Sequence, residues 1–103
     1  MTNDKFELDE EDLMAVRIEI PTPMREHTAG KSEVEVKGGT VQEALADLIK
    51  QYPGIGPKLF DKDKLRPYIN IFLNDEDIRY LDEMQTAVKD GQLVALIPAV
   101  AGG

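Results

Sequence analysis

The residues best placed to do chemistry are the last two, Gly102 and Gly103, which end the run Ala99-Val100-Ala101-Gly102-Gly103. That run follows Pro98 and an apolar, strand-like segment, Leu93–Ile97. None of its side chains is charged, so the only ionised group there is the α-carboxylate of Gly103. Glycine has no Cβ, so Gly102 and Gly103 can lie flat in a channel too narrow for other residues. An enzyme could then reach the terminal carboxylate and activate it. The competing reading is an ordinary frayed terminus. Fraying tails are usually polar, and this one is not.

Little else in the chain could react. There is no cysteine, hence no disulfide, thiolate metal site or thiol nucleophile. Any sulfur handled by this protein must sit on something other than a side chain. The single histidine, His27, excludes a multi-histidine metal cluster and reads as a solvated loop residue.

Charge narrows the partners. The net charge of -8 argues against nucleic acid, which needs lysines and arginines gathered on one face. Asp4, Glu7, Asp9, Glu10, Glu11 and Asp12 stand against Lys5 alone in residues 1–13. That block repels itself and reads as a disordered leader. The remaining negative charge suits a basic docking face. No apolar run approaches ~18 residues, so no membrane span is expected, and the acidic start does not resemble a signal peptide. The expected compartment is the cytosol.

The elements that must position the tail follow the leader. Val16, Ile18 and Ile20 alternate with Arg17 and Glu19 as a half-buried strand ended by Pro21. Pro21-Thr22-Pro23 and Gly30 bracket a loop, and Val34 and Val36 alternate with charged residues as a second strand. Gly38-Gly39 turn the chain. Thr40-Val41-Gln42-Glu43 is a capping box, its cap worth about 1 kcal/mol. Val41, Ala44, Leu45, Leu48 and Ile49 then fall on one helical face, and Pro53-Gly54 end the helix. Pro57–Lys64 reads as a loop or a short turn, apart from Leu59-Phe60, which plug the gap between helix and sheet. Tyr68–Leu73 is a third strand, Asn74–Asp77 a polar turn, Ile78–Tyr80 a short strand, and Leu93–Ile97 the last strand after the Asp90-Gly91 turn. The order gives an α+β fold, a mixed four- to five-stranded sheet covered on one face by one main helix. Residues 14–103 form a single domain whose end, 99–103, is a flexible tail.

Three stretches carry a resemblance to a known family: Ile20-Pro21-Thr22 with Arg25, His27-Thr28 and Gly30; Asn70-Ile71 with Asn74–Arg79; and Ile97–Gly103. With the element order, they resemble the ubiquitin-like β-grasp sulfur carriers of the MoaD/ThiS family over about Met14–Gly103. The likeness is strongest to the cysteine-biosynthesis branch. The small subunit of molybdopterin synthase and the thiamine-pathway carriers are the alternatives within the family.

The resemblance implies a chemistry for Gly103. An E1-like enzyme of the MoeB/ThiF type uses ATP to adenylate the carboxylate, and AMP then leaves as sulfide or a persulfide attacks. The product is a C-terminal thiocarboxylate, and Ala99, Val100, Ala101 and Gly102 thread the tail into the enzyme. The chain would be a carrier and co-substrate, not a catalyst, with no cofactor or metal of its own. In the cysteine branch the acceptor would be an aminoacrylate on the pyridoxal phosphate of a cysteine-synthase-like enzyme, and a zinc peptidase of the JAMM type would release the product. In the molybdopterin branch the tail would enter the large synthase subunit.

The same resemblance places a docking surface. Counting back from Gly103, Val94 and Leu96 face the helix while Ala95 and Ile97 face outward. If Ile69, Ile71 and Leu73 form the core side of the third strand, Phe72 joins Ile97 in an exposed apolar patch. The competing reading has Phe72 covered by the Tyr80 region. Two other functions stay open: a ubiquitin-like modifier joined to substrate lysines, and an interaction module with an inert tail. Ubiquitin-type modifiers carry arginines next to the terminal glycines, where this chain has Val100 and Ala101.

Overall fold

The computed structural model describes residues 15–98. The leader, residues 1–13, and the tail, residues 99–103, lie outside the described residues. Alternation of apolar and charged residues builds the first hairpin, β1 (Ala15–Glu19) and β2 (Glu33–Lys37), with Val16, Ile18, Val34 and Val36 turned inward. The capping box opens helix α1 (Val41–Gln51). The Thr40 hydroxyl accepts from the Glu43 N–H at 3.1 Å. The Glu43 carboxylate accepts from the Gly39 N–H at 2.7 Å, one residue earlier than the ideal box. A single turn, α2 (Gly56–Leu59), follows. The remaining strands are β3 (Phe60–Asp61), β4 (Lys64–Leu65), β5 (Ile69–Leu73), β6 (Glu76–Asp77) and β7 (Leu93–Pro98).

The main sheet has the order β2-β1-β7-β5-β6, and β3-β4 form a separate two-stranded ribbon. Only β1 and β7 run parallel, so β7 lies in the middle of a mixed sheet. Val41, Ala44, Leu45 and Leu48 of α1 bury against Val16, Ile18, Ile71, Val94 and Leu96. Ile55 and Leu59 close the core between helix and sheet, so Leu59 does plug that gap.

Three stretches differ from expectation. The loop after β1 is a 3-10 helix, Thr22–Thr28. Prolines at its start preset φ, and Ala29 and Gly30 stop it at φ 56° and 81°. His27 is partly buried rather than solvated: a Cβ on Gly54 would lie 3.4 Å from its Nδ1, and its Nε2 is 3.4 Å from Glu26. The stretch 57–64, expected as a loop or a short turn, holds most of the single turn α2 and also the β3–β4 ribbon, which was not expected, with Phe60 half-buried. Asn74 and Asp75, at φ 49° and 76°, form the whole turn of a two-residue hairpin. The fourth strand is therefore Glu76–Asp77, and Ile78–Tyr80 is a 3-10 turn. The Asp77 carboxylate accepts from the Arg79 N–H at 2.9 Å, which bends the chain out of the strand.

Candidate functional site

The tail is rooted on the central strand. Register pairs Glu19 with Ala95 on one side of β7, and Phe72 with Ala95, Asn70 with Ile97 and Ile69 with Pro98 on the other. The start of β7 is clamped as well: the Asn74 side-chain oxygen accepts from the Leu93 N–H at 3.1 Å, and the Leu93 carbonyl accepts from the Asn74 N–H at 3.0 Å. Pro98, the residue before the tail, is therefore held by a strand fixed along its length. Gly103, Gly102, Ala101, Val100 and Ala99 lie outside the described residues.

Strand alternation sets which side chains surround that root. Ile69, Ile71 and Leu73 are buried under α1 with Val94 and Leu96, as the pattern predicted. Phe72, Ala95 and Ile97 share the opposite face, with Phe72 directly across from Ala95 and diagonal to Ile97. Ile97 is 44% exposed and completes an apolar row. Phe72 is half-buried, so the patch is less open than expected. The Tyr80 ring does not enclose it, being itself 83% exposed.

Asp77 lies across from Phe72 on the hairpin partner strand. Arg79 forks onto its carboxylate, with Nη2 to Oδ2 at 2.6 Å and Nε to Oδ1 and Oδ2 at 3.2 and 3.1 Å. The hydrogen bonds from the Arg79 side chain, then from its backbone N–H, hold the Asp77 carboxyl below the usual carboxylate range. The pair fixes the hairpin whose Asp77 pairs with Phe72. Sequence reasoning missed this fork. Its signal was the Asp-x-Arg spacing after an Asn-Asp turn, which was read as a plain polar turn. Beyond Ala95 the same face is charged, with Arg17 and Glu19 on β1 and Glu33, Glu35 and Lys37 on β2; Arg17 lies across the ladder from Glu35 and 3.8 Å from Glu33. An apolar row bordered by charges of both signs fits a partner with an apolar patch at its centre and a polar rim.

A separate concavity lies elsewhere. A groove of about 820 Å³ runs between α1 and the β3–β4 ribbon, lined by Ala46, Ile49, Phe60, Leu65, Arg66 and Met84 among others. It does not reach Ala95 or Ile97. Among the described residues no three His, Cys, Asp or Glu side chains gather as a metal site would require. No described helix is long and apolar enough to cross a membrane.

Comparison with known proteins agrees with this geometry. The model of the ThiS family matches residues 18–103. The sulfur carrier protein CysO of Mycobacterium tuberculosis is 42% identical over 93 residues, covering 87% of this chain and all of that one. In the crystal structure of the Amycolatopsis orientalis BexX/CysO complex, the matching chain superposes with a TM-score of 0.80 at 43% identity, over 85% of this chain and 99% of that one. The solution structure of small archaeal modifier protein 1 from Methanosarcina acetivorans gives a TM-score of 0.79 at 30% identity, over 88% and 98% of the two chains. These neighbours share the β-grasp, ubiquitin-like arrangement of a mixed sheet on one principal helix. With the family model spanning all but the first stretch of the sequence, this chain belongs to the ThiS family.

Proposed function

We propose that this protein is a sulfur carrier whose Gly103 carboxylate is activated and then loaded with sulfur. The observation that carries the reading is the rooting of an uncharged, glycine-terminated tail on the central strand, beside the row formed by Phe72, Ala95 and Ile97. A docked enzyme holding that row meets a tail whose origin at Pro98 is fixed relative to it. Ala99, Val100, Ala101 and Gly102 then thread a narrow channel without offering side chains that compete with the carboxylate.

The chemistry balances without any group from the chain beyond the carboxylate itself. A Gly103 carboxylate oxygen attacks the α-phosphate of ATP bound by an E1-like enzyme, and pyrophosphate leaves. Sulfide attacks the acyl carbon and AMP leaves; where the donor is a persulfide, the acyl disulfide first formed is cleaved by a thiol of the activating enzyme, which leaves as a disulfide and frees the thiocarboxylate. The remaining thiocarboxylate is the sulfur donor, which makes the protein a co-substrate and leaves catalysis to its partners. The likeness to the carrier CysO supports cysteine biosynthesis as the destination. The acceptor is then an aminoacrylate on a cysteine-synthase-like partner, with a zinc peptidase to cleave the resulting amide. A molybdopterin synthase large subunit is the alternative acceptor.

A second reading rests on the 30% identity to small archaeal modifier protein 1: the same activated carboxylate could be joined to lysine amines of other proteins. Intact-mass analysis after incubation with the activating enzyme, ATP and a sulfur source separates the two. The carrier gains the mass difference between sulfur and oxygen at its C-terminus. A modifier instead produces a ladder of conjugates, and an unchanged mass without conjugates refutes both.

A further inference from the structure

The main sheet ends on one side in β6, which has two residues, and on the other in β2, which has five. A five-residue edge is long enough to template another strand, and natural proteins guard such edges. Here the guard comes from α1. The Lys37 N–H donates to the Asp47 carboxylate at 3.0 Å, and the Gln51 side-chain amide donates to the Glu35 carbonyl at 3.0 Å. Gln51 also donates to the same Asp47 oxygen at 3.1 Å, so the two helix residues, one turn apart, act as a unit.

Both backbone groups point away from β1, because the antiparallel ladder alternates inward and outward residues along β2. In an antiparallel added strand, the residue across from Glu35 would place its N–H on the Glu35 carbonyl, and the residue two positions before it would place its carbonyl on the Lys37 N–H. The Gln51 amide and the Asp47 carboxylate supply that same donor and acceptor. Two side chains thus occupy the positions of one backbone N–H and one backbone carbonyl of a missing antiparallel neighbour.

We propose that Asp47 and Gln51 form a latch that closes the β2 edge to strand addition, and that the strand fitting the open edge is β2 of a second copy of this chain. The sequence Glu33-Val34-Glu35-Val36-Lys37 is what favours a second copy. Antiparallel pairing about Glu35 sets Glu33 against Lys37 of the copy, twice by symmetry. It also sets Val34 against Val36, which continues the buried row of each sheet into the other. Only the central Glu35 meets a like charge, and it does so on the solvent side. The pairing needs the Glu35 carbonyl and the Lys37 N–H, the two groups the latch holds.

The test is sedimentation equilibrium of three chains across a concentration series: the natural protein, the double variant Asp47→Ala/Gln51→Ala, and that double variant carrying Glu35→Pro. The natural protein is expected to stay at monomer mass, and the double variant to rise toward twice that mass. Proline removes the Glu35 N–H that the paired strands require and is tolerated on an edge, so it should restore the monomer. A folded double variant that remains monomeric overturns the proposal, as does association that Glu35→Pro leaves intact. Hydrogen exchange of the natural protein gives an independent reading should the double variant not fold. The Lys37 amide is expected to be protected although it lies on a sheet edge, and exchange as fast as an unstructured amide would also overturn the latch.

Discussion

Phe72 and Ala95 face each other across the β5–β7 ladder, on the side of the sheet away from α1. Ile97 lies diagonally next to Phe72 on the strand that leads into the tail. One short row of side chains therefore links the hairpin at Asp77 to the origin of the C-terminus.

Replacing Phe72 with Asp should weaken binding to the activating enzyme by more than ~1.4 kcal/mol, a factor of ten. Because the ring is half-buried, the substitution should also cost about 1 kcal/mol of stability. Titration calorimetry with the enzyme and urea unfolding of the free chain measure the two effects. Unfolding of the variant, or unchanged affinity, would contradict the assignment of this row to docking.

Much of the fold was legible because its strands alternate cleanly and its helix carries a cap at the start and Pro-Gly at the end. Val16, Val34, Ile71 and Val94 all fall inside, as period-two patterning requires. What escaped were short elements whose geometry depends on tertiary contacts. The 3-10 helix Thr22–Thr28 is a stretch of mixed polarity with no helical period, stabilised by the Thr28 hydroxyl donating to the Arg25 and Lys31 carbonyls and by Arg25 donating to the Ile20 carbonyl. The β3–β4 ribbon has two residues a strand, too few to show any period. Of the candidate site, the outward face of Ala95 and Ile97 was legible from alternation. The partial burial of Phe72 was not, because the strand that pairs with it, carrying Asp77, follows a turn formed by two non-glycine residues at positive φ.

Gly38 should resist substitution although it sits in a turn. A Cβ there would lie 2.7 Å from the Ala44 backbone nitrogen and 2.9 Å from Glu43, against the first turn of α1. Gly38→Ala should cost about 1–3 kcal/mol, because backbone rather than a flexible side-chain end must move. Urea unfolding provides the measurement, and a loss below that range would mean the first turn of α1 yields more easily than its hydrogen bonds suggest.

The Asp77–Arg79 fork gives a pH signature. Asp77 is held below the ordinary carboxylate value by its hydrogen bonds from Arg79. Its contribution is therefore complete above the unfolded value of about 3.9 and is lost as pH falls through the lower, folded value. Asp77→Asn should lower the thermal midpoint at neutral pH, and the gap to the natural protein should close in acid. A gap that stays constant from neutral to strongly acidic pH would show that the charge on Asp77 is not what stabilises the hairpin.

The most direct test of the carrier reading is ATP–pyrophosphate exchange by the cognate activating enzyme, comparing the full chain with one lacking Gly103. The full chain is expected to support exchange and the shortened chain to abolish it. Their thermal midpoints should stay close, since one terminal residue buries little. Equal exchange with both chains would contradict activation at the Gly103 carboxylate, and the sulfur-carrier account with it.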